Sequence, residues 1–384
     1  MPLPLKITIK LDASHAKWAG KLKIYWIHDS TSCGFYRAWL PLTTLRQARL
    51  ADCRSFADDM RQLREDPFLT PAFRGSQRFV QLREKLVYDN VEWADLVVLQ
   101  RMAGDAGMRL LEFAKRKGKA VVHESDDLCE EVVRDNPAHW FWRQEKLLAS
   151  HGEFFRRADL VTTTNERLAD YYTRHYGSKV IVLPNQIDYG SRRWATPDYR
   201  KGPNVVVGWM GSESHTADLE ILRGIIPRLT AEFPSLEFKF SGYFPDWARA
   251  MERTSHVKGK GVDATPLTMA DWDIGLAPIN DVPFNTSGKS DIKWIEYGMA
   301  SIFTVASKLE PYYSSIEHGG SGLLAKWDDA DDWMRQLRKA ITRTGFRAQV
   351  VKNVQAQIRK ERTIYGNVGR WFRAYADLLN GRRL

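Results

Sequence analysis

Short apolar runs alternate with longer amphipathic stretches along this chain of 384 residues. A run of five or six apolar residues between polar turns is typical of a buried parallel strand, and the spacing between runs is typical of helices. In the first half the predicted strands are 23–28, 95–100, 119–123, 159–163 and 179–183. The predicted helices are 35–49, 105–117, 139–157 and 166–175, and residues 50–90 suggest further helices and loops. Strand and helix in alternation predict an α/β protein with parallel sheets.

The same alternation restarts after residue 203. The predicted strands are 204–209, 236–242, 273–278 and 301–306, with helices at 216–233 and 290–299 and two or three more at the end. Residues 189–203, between the two series, are rich in Gly, Pro and Arg, as a linker is. We therefore predict one domain over 1–190 and a second over 204–362, followed by a terminal helix over 363–384.

Composition agrees with two ordinary domains. Hydrophobic residues make up 43% of the chain, which is enough for two cores. No apolar run approaches the roughly 20 residues that span a bilayer, and the first ten residues lack a signal-peptide core. Cys33, Cys53 and Cys129 are odd in number and widely separated, which favours a reducing compartment without disulfides. We expect a soluble, cytoplasmic protein with no metal site.

The net charge of +10 indicates an anionic partner. Nucleic acid, an anionic membrane surface and a nucleotide each fit this charge. Basic residues concentrate in residues 50–90 and near the C-terminus; a solvated surface is the alternative reading of both regions. The basic residues of the C-terminal segment are Arg343, Arg347, Lys352, Arg359, Lys360, Arg362, Arg370, Arg373, Arg382 and Arg383.

The most informative stretch is 269–306. An apolar strand is followed by the polar loop 280–288, a helix and a second strand. Lys289 and Lys293 lie one helical turn apart, and Glu296 lies about one turn further on. Open α/β sheets bind ligands beyond the carboxyl ends of their strands, where helix N–H groups attract anions. Two lysines suit a diphosphate, and a carboxylate suits sugar hydroxyls.

Other strand ends carry further candidates. Gly211, Ser212 and His215 follow strand 204–209 in a second turn with anion-binding character. Gly34 ends the turn 29–34, where glycine would let the backbone approach a phosphate or sugar; a plain turn is equally consistent.

Strand 119–123 ends at His123, and Asp126 and Asp127 come shortly after it. His123 is either a site residue or a histidine paired with a neighbouring carboxylate. The two aspartates would orient acceptor hydroxyls, act as a base, or cap the next helix.

Residues 269–306 resemble the donor-binding segment of GT-B glycosyltransferases, closest to family 4, the glycosyl transferases group 1. Glu296 matches the second glutamate of that family's paired-glutamate motif, whereas the position of the first is Gly288. Residues 318–324 resemble the family's Gly-x-x-Gly-Leu-Leu loop, and 184–188 resemble its crossing between domains. The Arg and Lys that most members carry beyond the turn at Gly211 are absent, so Ser212, His215 and the two lysines would replace them.

The resemblance implies a GT-B fold with two Rossmann-like domains facing across a cleft and a terminal helix crossing back to the first domain. The first domain would bind the acceptor and the second a nucleotide-diphosphate sugar, with a UDP-sugar favoured. His123 would touch the donor sugar, Glu296 the ribose and Tyr243 the base, while Asn285 belongs to a variant donor loop. Transfer would retain the anomeric configuration, with the departing phosphate accepting the proton, and would need no metal or cofactor.

The acceptor is left open by the sequence. Hydroxymethylated bases of phage-type DNA fit the basic surface, and the source would then be a phage gene expressed in host cytoplasm. A polysaccharide, lipid-linked or protein acceptor is the alternative. A third reading is a nucleotide- or nucleic-acid-binding module without turnover.

Overall fold

The computed structural model describes residues 9–28, 32–66, 74–195 and 202–382, which form two compact units. The N-terminal unit contains the described residues up to Asp126, then Arg143–Gln186, and the chain from Ile364 onward. The C-terminal unit contains Asp127–Trp142 and Ile187–Thr363. The sequence did not indicate that the segment 127–142 belongs to the C-terminal unit. Parts of the predicted turn and linker, 29–31 and 196–201, and Arg383 of the basic segment lie outside the described residues.

The N-terminal unit is built on a six-stranded sheet in which all strands are parallel. Its strand order is β2-β1-β3-β4-β5-β6. Every residue of β3, β4 and β5 is buried, as expected when helices cover both faces of a parallel sheet. The strands are β1 Leu22–Ile27, β2 Ala51–Ser55, β3 Leu96–Gln100, β4 Ala120–Glu124, β5 Leu160–Thr163 and β6 Val180–Val182.

Six labelled helices connect these strands. They are α1 Leu40–Gln47, α2 Phe56–Glu65, α3 Gln77–Trp93, α4 Gly104–Arg116, α5 Glu145–Arg157 and α6 Glu166–Tyr176. Asn165 caps α6 as predicted, because its side-chain oxygen accepts a hydrogen bond from the Leu168 backbone N–H at 2.9 Å. Gly177 ends the helix at φ 68°, the left-handed conformation that glycine adopts without strain.

Three predictions for the N-terminal unit were wrong in detail. Strand β2 was missed, because its Ala-Asp-Cys-Arg-Ser sequence alternates like an exposed edge instead of forming an apolar run. The long helix expected over 139–157 is divided into His139–Trp142 and α5. Gly34 lies in helical backbone at φ −58° rather than in a turn, since Ser32–Gly34 and a π-helical turn at Phe35–Trp39 precede α1.

The C-terminal unit contains the second six-stranded sheet, which is also parallel throughout. Its order is β12-β11-β10-β7-β8-β9. The two edge strands β9 and β12 were not predicted, because β9 is half-exposed and β12 has only three residues. The strands are β7 Val206–Gly211, β8 Glu237–Gly242, β9 Thr254–Val257, β10 Ile274–Ala277, β11 Phe303–Ser307 and β12 Leu323–Ala325.

Five further helices follow in chain order. They are α7 Thr216–Glu232, α8 Ile292–Met299, α9 Ala330–Thr342, α10 Thr344–Glu361 and α11 Ile364–Arg382. The structure also contains short helical turns at Ala13–Ala16, Cys129–Glu131, Arg192–Ala195, Glu213–His215, Asp246–Arg249, Val262–Ala264, Thr265–Thr268, Pro283–Thr286 and Tyr312–Ser315.

The terminal helix α11 returns to the N-terminal unit, as predicted. Trp18 Nε1 donates a hydrogen bond to Asn380 Oδ1 at 2.9 Å, and His15 Nε2 lies 2.9 Å from Asp377 Oδ1. The Arg370 guanidinium donates to the Val182 carbonyl at 3.1 Å. Among the described residues, no helix combines the length and the apolar character that crossing a bilayer requires.

Two arginines of the basic C-terminal segment stabilise the fold. Arg347 is buried and donates to the backbone carbonyls of Ala340 and Ile341 at 2.5 and 2.8 Å. Arg362 forms a two-pronged pair with Asp291, with both N–O distances 2.6 Å. Burial alone would raise the pKa of Asp291, but Arg362 outweighs it and holds that pKa below its usual range. These two side chains therefore do not form the solvated basic face that the sequence suggested.

Candidate functional site

Two loops of the C-terminal unit meet at one edge of its sheet. Strands β7 and β10 are neighbours, with Ile274 opposite Val207, so the segments that follow them leave the sheet side by side. Strand β7 ends at Gly211, and Ser212 and the helical turn Glu213–His215 follow it. The loop after β10 runs through residues 278–291 to the start of α8. The site candidates of the two loops therefore share one edge.

Asp218, in the first turn of α7, joins the two loops. Its buried carboxylate accepts hydrogen bonds from the Asn280 backbone N–H at 2.9 Å and from Asn285 Nδ2 at 2.8 Å. Its other oxygen lies 2.7 Å from His215 Nδ1. Sequence reasoning named His215 and Asn285 but missed Asp218. The only local signal was a carboxylate three residues after a histidine at a helix start.

His215 is held neutral at pH 7. Burial, together with the charges of Lys293 and Lys289, lowers its pKa to about 4 despite the nearby Asp218. Its Nε2 lies 3.3 Å from Lys293 Nζ. The tautomer that fits both neighbours donates from Nδ1 to Asp218 and accepts at Nε2 from the Lys293 ammonium. A neutral imidazole therefore orients a lysine without adding a third positive charge.

This pKa predicts a pH dependence of stability. The unfolded chain takes up a proton at His215 near pH 6.5, whereas the folded chain resists it down to about pH 4. The stabilisation is therefore complete above pH 6.5 and is lost as the pH falls toward 4. From pH 7 to pH 5 the free energy of unfolding should fall by about 2 kcal/mol more in the wild type than in His215→Gln, measured by urea unfolding.

His175→Gln is the control for this comparison, because His175 is exposed on α6. It should follow the wild-type pH profile. Parallel profiles for the wild type and His215→Gln would contradict the neutral, buried state of His215.

Lys289 lies beside this network and is mostly buried. Its side chain is 18% exposed, and Nζ lies 3.8 Å from Asp127 Oδ1 and 4.2 Å from the centre of the Phe284 ring. Its backbone N–H donates to the Asn285 carbonyl at 3.1 Å. The charge of Lys289 lowers the pKa of His215, so Lys289 and Lys293 both act on the same imidazole. The structure thus gathers both lysines, His215 and Asn285 into one cationic cluster, and their contact with a donor stays a prediction.

Gly211 and Tyr243 lie at the same edge. The Tyr243 backbone N–H donates to the Gly211 carbonyl at 2.9 Å. Gly242 permits this approach, because it adopts φ +87° and a Cβ there would come within 2.3 Å of the Gly211 carbonyl oxygen. The exposed hydroxyl of Ser212 lies 2.6 Å from that of Ser214. These placements are compatible with the predicted base and phosphate contacts but do not test them.

Helix α8 positions Glu296, whose side chain is buried. The next residue, Tyr297, donates its hydroxyl proton to the Leu276 carbonyl at 3.0 Å and so fixes the helix on β10. Trp294 Nε1 donates to the Ser321 carbonyl at 2.9 Å, which ties the loop 318–324 to the same helix. Two of the segments that carry the family resemblance, 269–306 and 318–324, are therefore in contact.

Gly288 has a steric reason to be glycine. A Cβ at this position would come within 2.5 Å of the Phe284 carbonyl oxygen and 2.8 Å of the Leu128 backbone nitrogen. A glutamate would fit only if the segment around Leu128 moved away. The close packing around Gly288 therefore explains why the first glutamate of the paired-glutamate motif is absent here.

His123 lies in the core of the N-terminal unit with no exposed surface. Its ring centre is 4.6 Å from that of Phe155, 5.3 Å from that of Phe154 and 5.4 Å from that of His151. Burial, followed by the nearby His151, lowers the pKa of His123 well below its ordinary value. Aromatic packing accounts for this environment, and the predicted contact with a donor sugar stays untested.

Asp126 and Asp127 belong to different units. Asp126 is buried in the N-terminal unit, with Oδ1 3.6 Å from Arg101 Nε, whereas Asp127 faces Lys289. Leu128 is the N-cap residue of the turn Cys129–Glu131, so neither aspartate holds the capping position that the sequence allowed.

Gly34 is buried in ordinary helical backbone, so its conformation does not require glycine for a ligand approach.

No protein-family model and no curated protein sequence matches this chain. Solved structures are similar to it. Sucrose-phosphate synthase from Thermosynechococcus elongatus superposes with a TM-score of 0.66 at 12% identity, over 94% of this chain and 100% of that one. HepE from Anabaena, in complex with UDP and glucose, gives 0.63 at 17% identity, over 94% and 100%. A glycosyltransferase from Rickettsia africae gives 0.63 at 11% identity, over 94% and 99%.

At these identities the similarity establishes the fold. Two parallel six-stranded sheets flanked by helices match the two Rossmann-like domains of the GT-B fold, which confirms the predicted fold class. The closer resemblance to family 4 stays a prediction from the motifs.

Proposed function

We propose that this protein is a glycosyltransferase that moves a sugar from a nucleotide-diphosphate sugar to a hydroxyl acceptor. The cationic cluster of Lys289, Lys293 and neutral His215, at the carboxyl edge of the C-terminal sheet, is the observation that carries the proposal. A UDP-sugar is the favoured donor, which the similarity to HepE in complex with UDP and glucose supports.

The cluster suits the chemistry of a diphosphate leaving group. When the bond between the anomeric carbon and the phosphate oxygen breaks, that oxygen gains negative charge. Two ammonium groups that are already in place stabilise this charge without reorganisation. His215 orients one of them, and the Asp218 network fixes the loop that carries the other.

Retention and the acceptor complete the proposal. Attack on the face from which the diphosphate leaves, with the phosphate taking the acceptor proton, would retain the configuration. Proton NMR of the first-formed anomer tests this. Hydroxymethylated DNA and a glycan, lipid-linked or protein hydroxyl are the acceptors to compare.

Glu296 is proposed to bind ribose hydroxyls of the donor. Since hydrogen bonds to a charged group contribute about 1.5–3 kcal/mol, Glu296→Gln should weaken nucleotide binding about 10- to 100-fold. Calorimetric titration measures the Kd, and thermal unfolding should show little change in Tm. Glu252→Gln, an exposed change in the same unit, should leave both quantities unchanged. Equal nucleotide affinity in all three proteins would contradict the assignment.

The decisive experiment combines donors and acceptors. The protein is incubated with UDP-, GDP- and ADP-sugars alone, then with modified and unmodified DNA, and products are followed by nucleotide release and mass spectrometry. Turnover of any donor supports the enzyme, and nucleotide binding without turnover supports a binding module instead. A mass gain on hydroxymethylated DNA, together with DNA binding that weakens steeply with salt, would select the nucleic-acid acceptor.

A further inference from the structure

The segment 127–142 brings a carboxylate to the cationic cluster from a distant part of the sequence. This segment lies in the chain between two strands of the N-terminal sheet but belongs to the C-terminal unit. Leu128 and Cys129 are buried, and the backbone of Leu128 rests against Gly288. Asp127 precedes Leu128 in the chain, and Lys289 follows Gly288. The contact between Leu128 and Gly288 therefore brings Asp127 close to Lys289.

Asp127 and Lys289 are both partly exposed beside Gly288. Asp127 Oδ1 is 3.8 Å from Lys289 Nζ, beyond hydrogen-bonding distance, and the two side chains are 21% and 18% exposed. Both groups therefore reach solvent at the same place. An ionised carboxylate has about four acceptor positions, so a partly exposed Asp127 can accept hydrogen bonds from a ligand in addition to its existing contacts.

A carboxylate at this place has a specific consequence for a diphosphate ligand. It repels the phosphates that Lys289 attracts, unless hydrogen-bond donors separate the charges. In a nucleotide-diphosphate sugar the group attached to the second phosphate is the sugar, and its hydroxyls are such donors. A sugar that bears its own carboxylate would instead add a second repulsion.

We propose that Asp127 accepts hydrogen bonds from the donor sugar and selects uncharged sugars over anionic ones. This inference rests on the proposed function and adds the charge class of the sugar to it. Gly288 is then a positioning residue, because only the absence of a side chain lets Leu128 hold Asp127 in place.

Calorimetric titration of UDP, UDP-glucose and UDP-glucuronic acid tests the proposal, with the GDP or ADP series used if the wild type binds that nucleotide more tightly. The wild type should prefer the glucose over the glucuronic acid donor by about tenfold or more. Asp127→Asn should bind the free nucleotide as well or better, while its preference between the two sugars falls to about threefold or less. Gly288→Ala should show the same loss of preference.

Asp135→Asn is the matched control, since Asp135 is an exposed aspartate on the same segment. It should keep the wild-type preference. If Asp127→Asn tightens all three ligands equally, Asp127 only opposes the diphosphate and the proposal is overturned. An unchanged preference in Asp127→Asn overturns it as well. A wild type that binds no nucleotide or nucleotide-sugar rejects the proposed function itself.

Discussion

Replacing Lys289 with alanine is expected to lower kcat/KM for sugar transfer by about 100- to 1,000-fold, the cost of removing one fixed donor from a developing oxyanion. Lys289 is mostly buried and acts electrostatically on His215 together with Lys293, so its charge is not free to be replaced by solvent ions. The loss should appear in kcat as well as KM, because the charge on the leaving diphosphate grows toward the transition state. Initial rates of nucleotide release across a donor concentration series measure both constants.

Lys352→Ala is the control, because Lys352 is exposed on α10. It removes the same charge from the protein but leaves the cluster intact, and its rates should stay within about twofold of wild type if only the local charge matters. Similar losses from both substitutions would mean that the donor site has been placed at the wrong edge of the molecule. Circular dichroism should show that both variants are folded.

The sequence was sufficient for the parts of this site that lie close together in the chain. Helical spacing predicts that Lys289 and Lys293 lie close together, and in the structure both charges act on His215 although α8 begins only at Ile292. That Glu296 shares a ligand with them stays a prediction. Strands β7 and β10 could be predicted from apolar runs, because buried parallel strands are continuous in hydrophobicity, although β7 extends to Gly211, beyond the predicted end at residue 209. These local rules predicted the fold class and the position of the cluster.

Contacts between distant segments were beyond such rules. Asp218 accepts hydrogen bonds from Asn280 and Asn285, which follow it by more than sixty residues in the chain. No local sequence pattern shows that a buried carboxylate will connect two distant loops. The packing of Leu128 on Gly288 links segments 160 residues apart and depends on which unit the segment 127–142 joins. The sequence shows that Gly288 stands where the motif has a glutamate. The steric reason for this glycine can be seen only in the folded structure.

Arg37 is the largest such omission, because the sequence analysis placed it only within the predicted helix 35–49. In the structure it lies on the π-helical turn Phe35–Trp39 with no exposed surface. Its Nε and Nη2 donate to the two oxygens of Glu124 at 2.7 and 3.1 Å. Its Nη1 donates to the Leu183 carbonyl at 2.5 Å and to Asn185 Oδ1 at 3.1 Å. One guanidinium thus binds the ends of β4 and β6 together.

Arg37→Met is expected to lower the free energy of unfolding by about 3–5 kcal/mol, because it leaves the buried Glu124 carboxylate without its partner. Methionine keeps most of the length of the side chain, so the loss measures the ion pair and its hydrogen bonds more than a cavity. Urea unfolding at pH 7 gives the value. If the variant is too unstable for a folded baseline, its yield of soluble protein and its Tm replace the urea measurement.

A second substitution separates the unpaired charge from the general disturbance of the core. In Arg37→Met the buried Glu124 carboxylate has lost its ion-pair partner. Adding Glu124→Gln removes that charge, so the double variant should be more stable than Arg37→Met alone. Arg174→Met removes an arginine from the exposed pair with Asp170 on α6 and should cost only about 0.5 kcal/mol or less. If the double variant were as unstable as the sum of its single substitutions, the two side chains would act independently. The ends of β4 and β6 would then be held by packing and not by the Arg37–Glu124 pair.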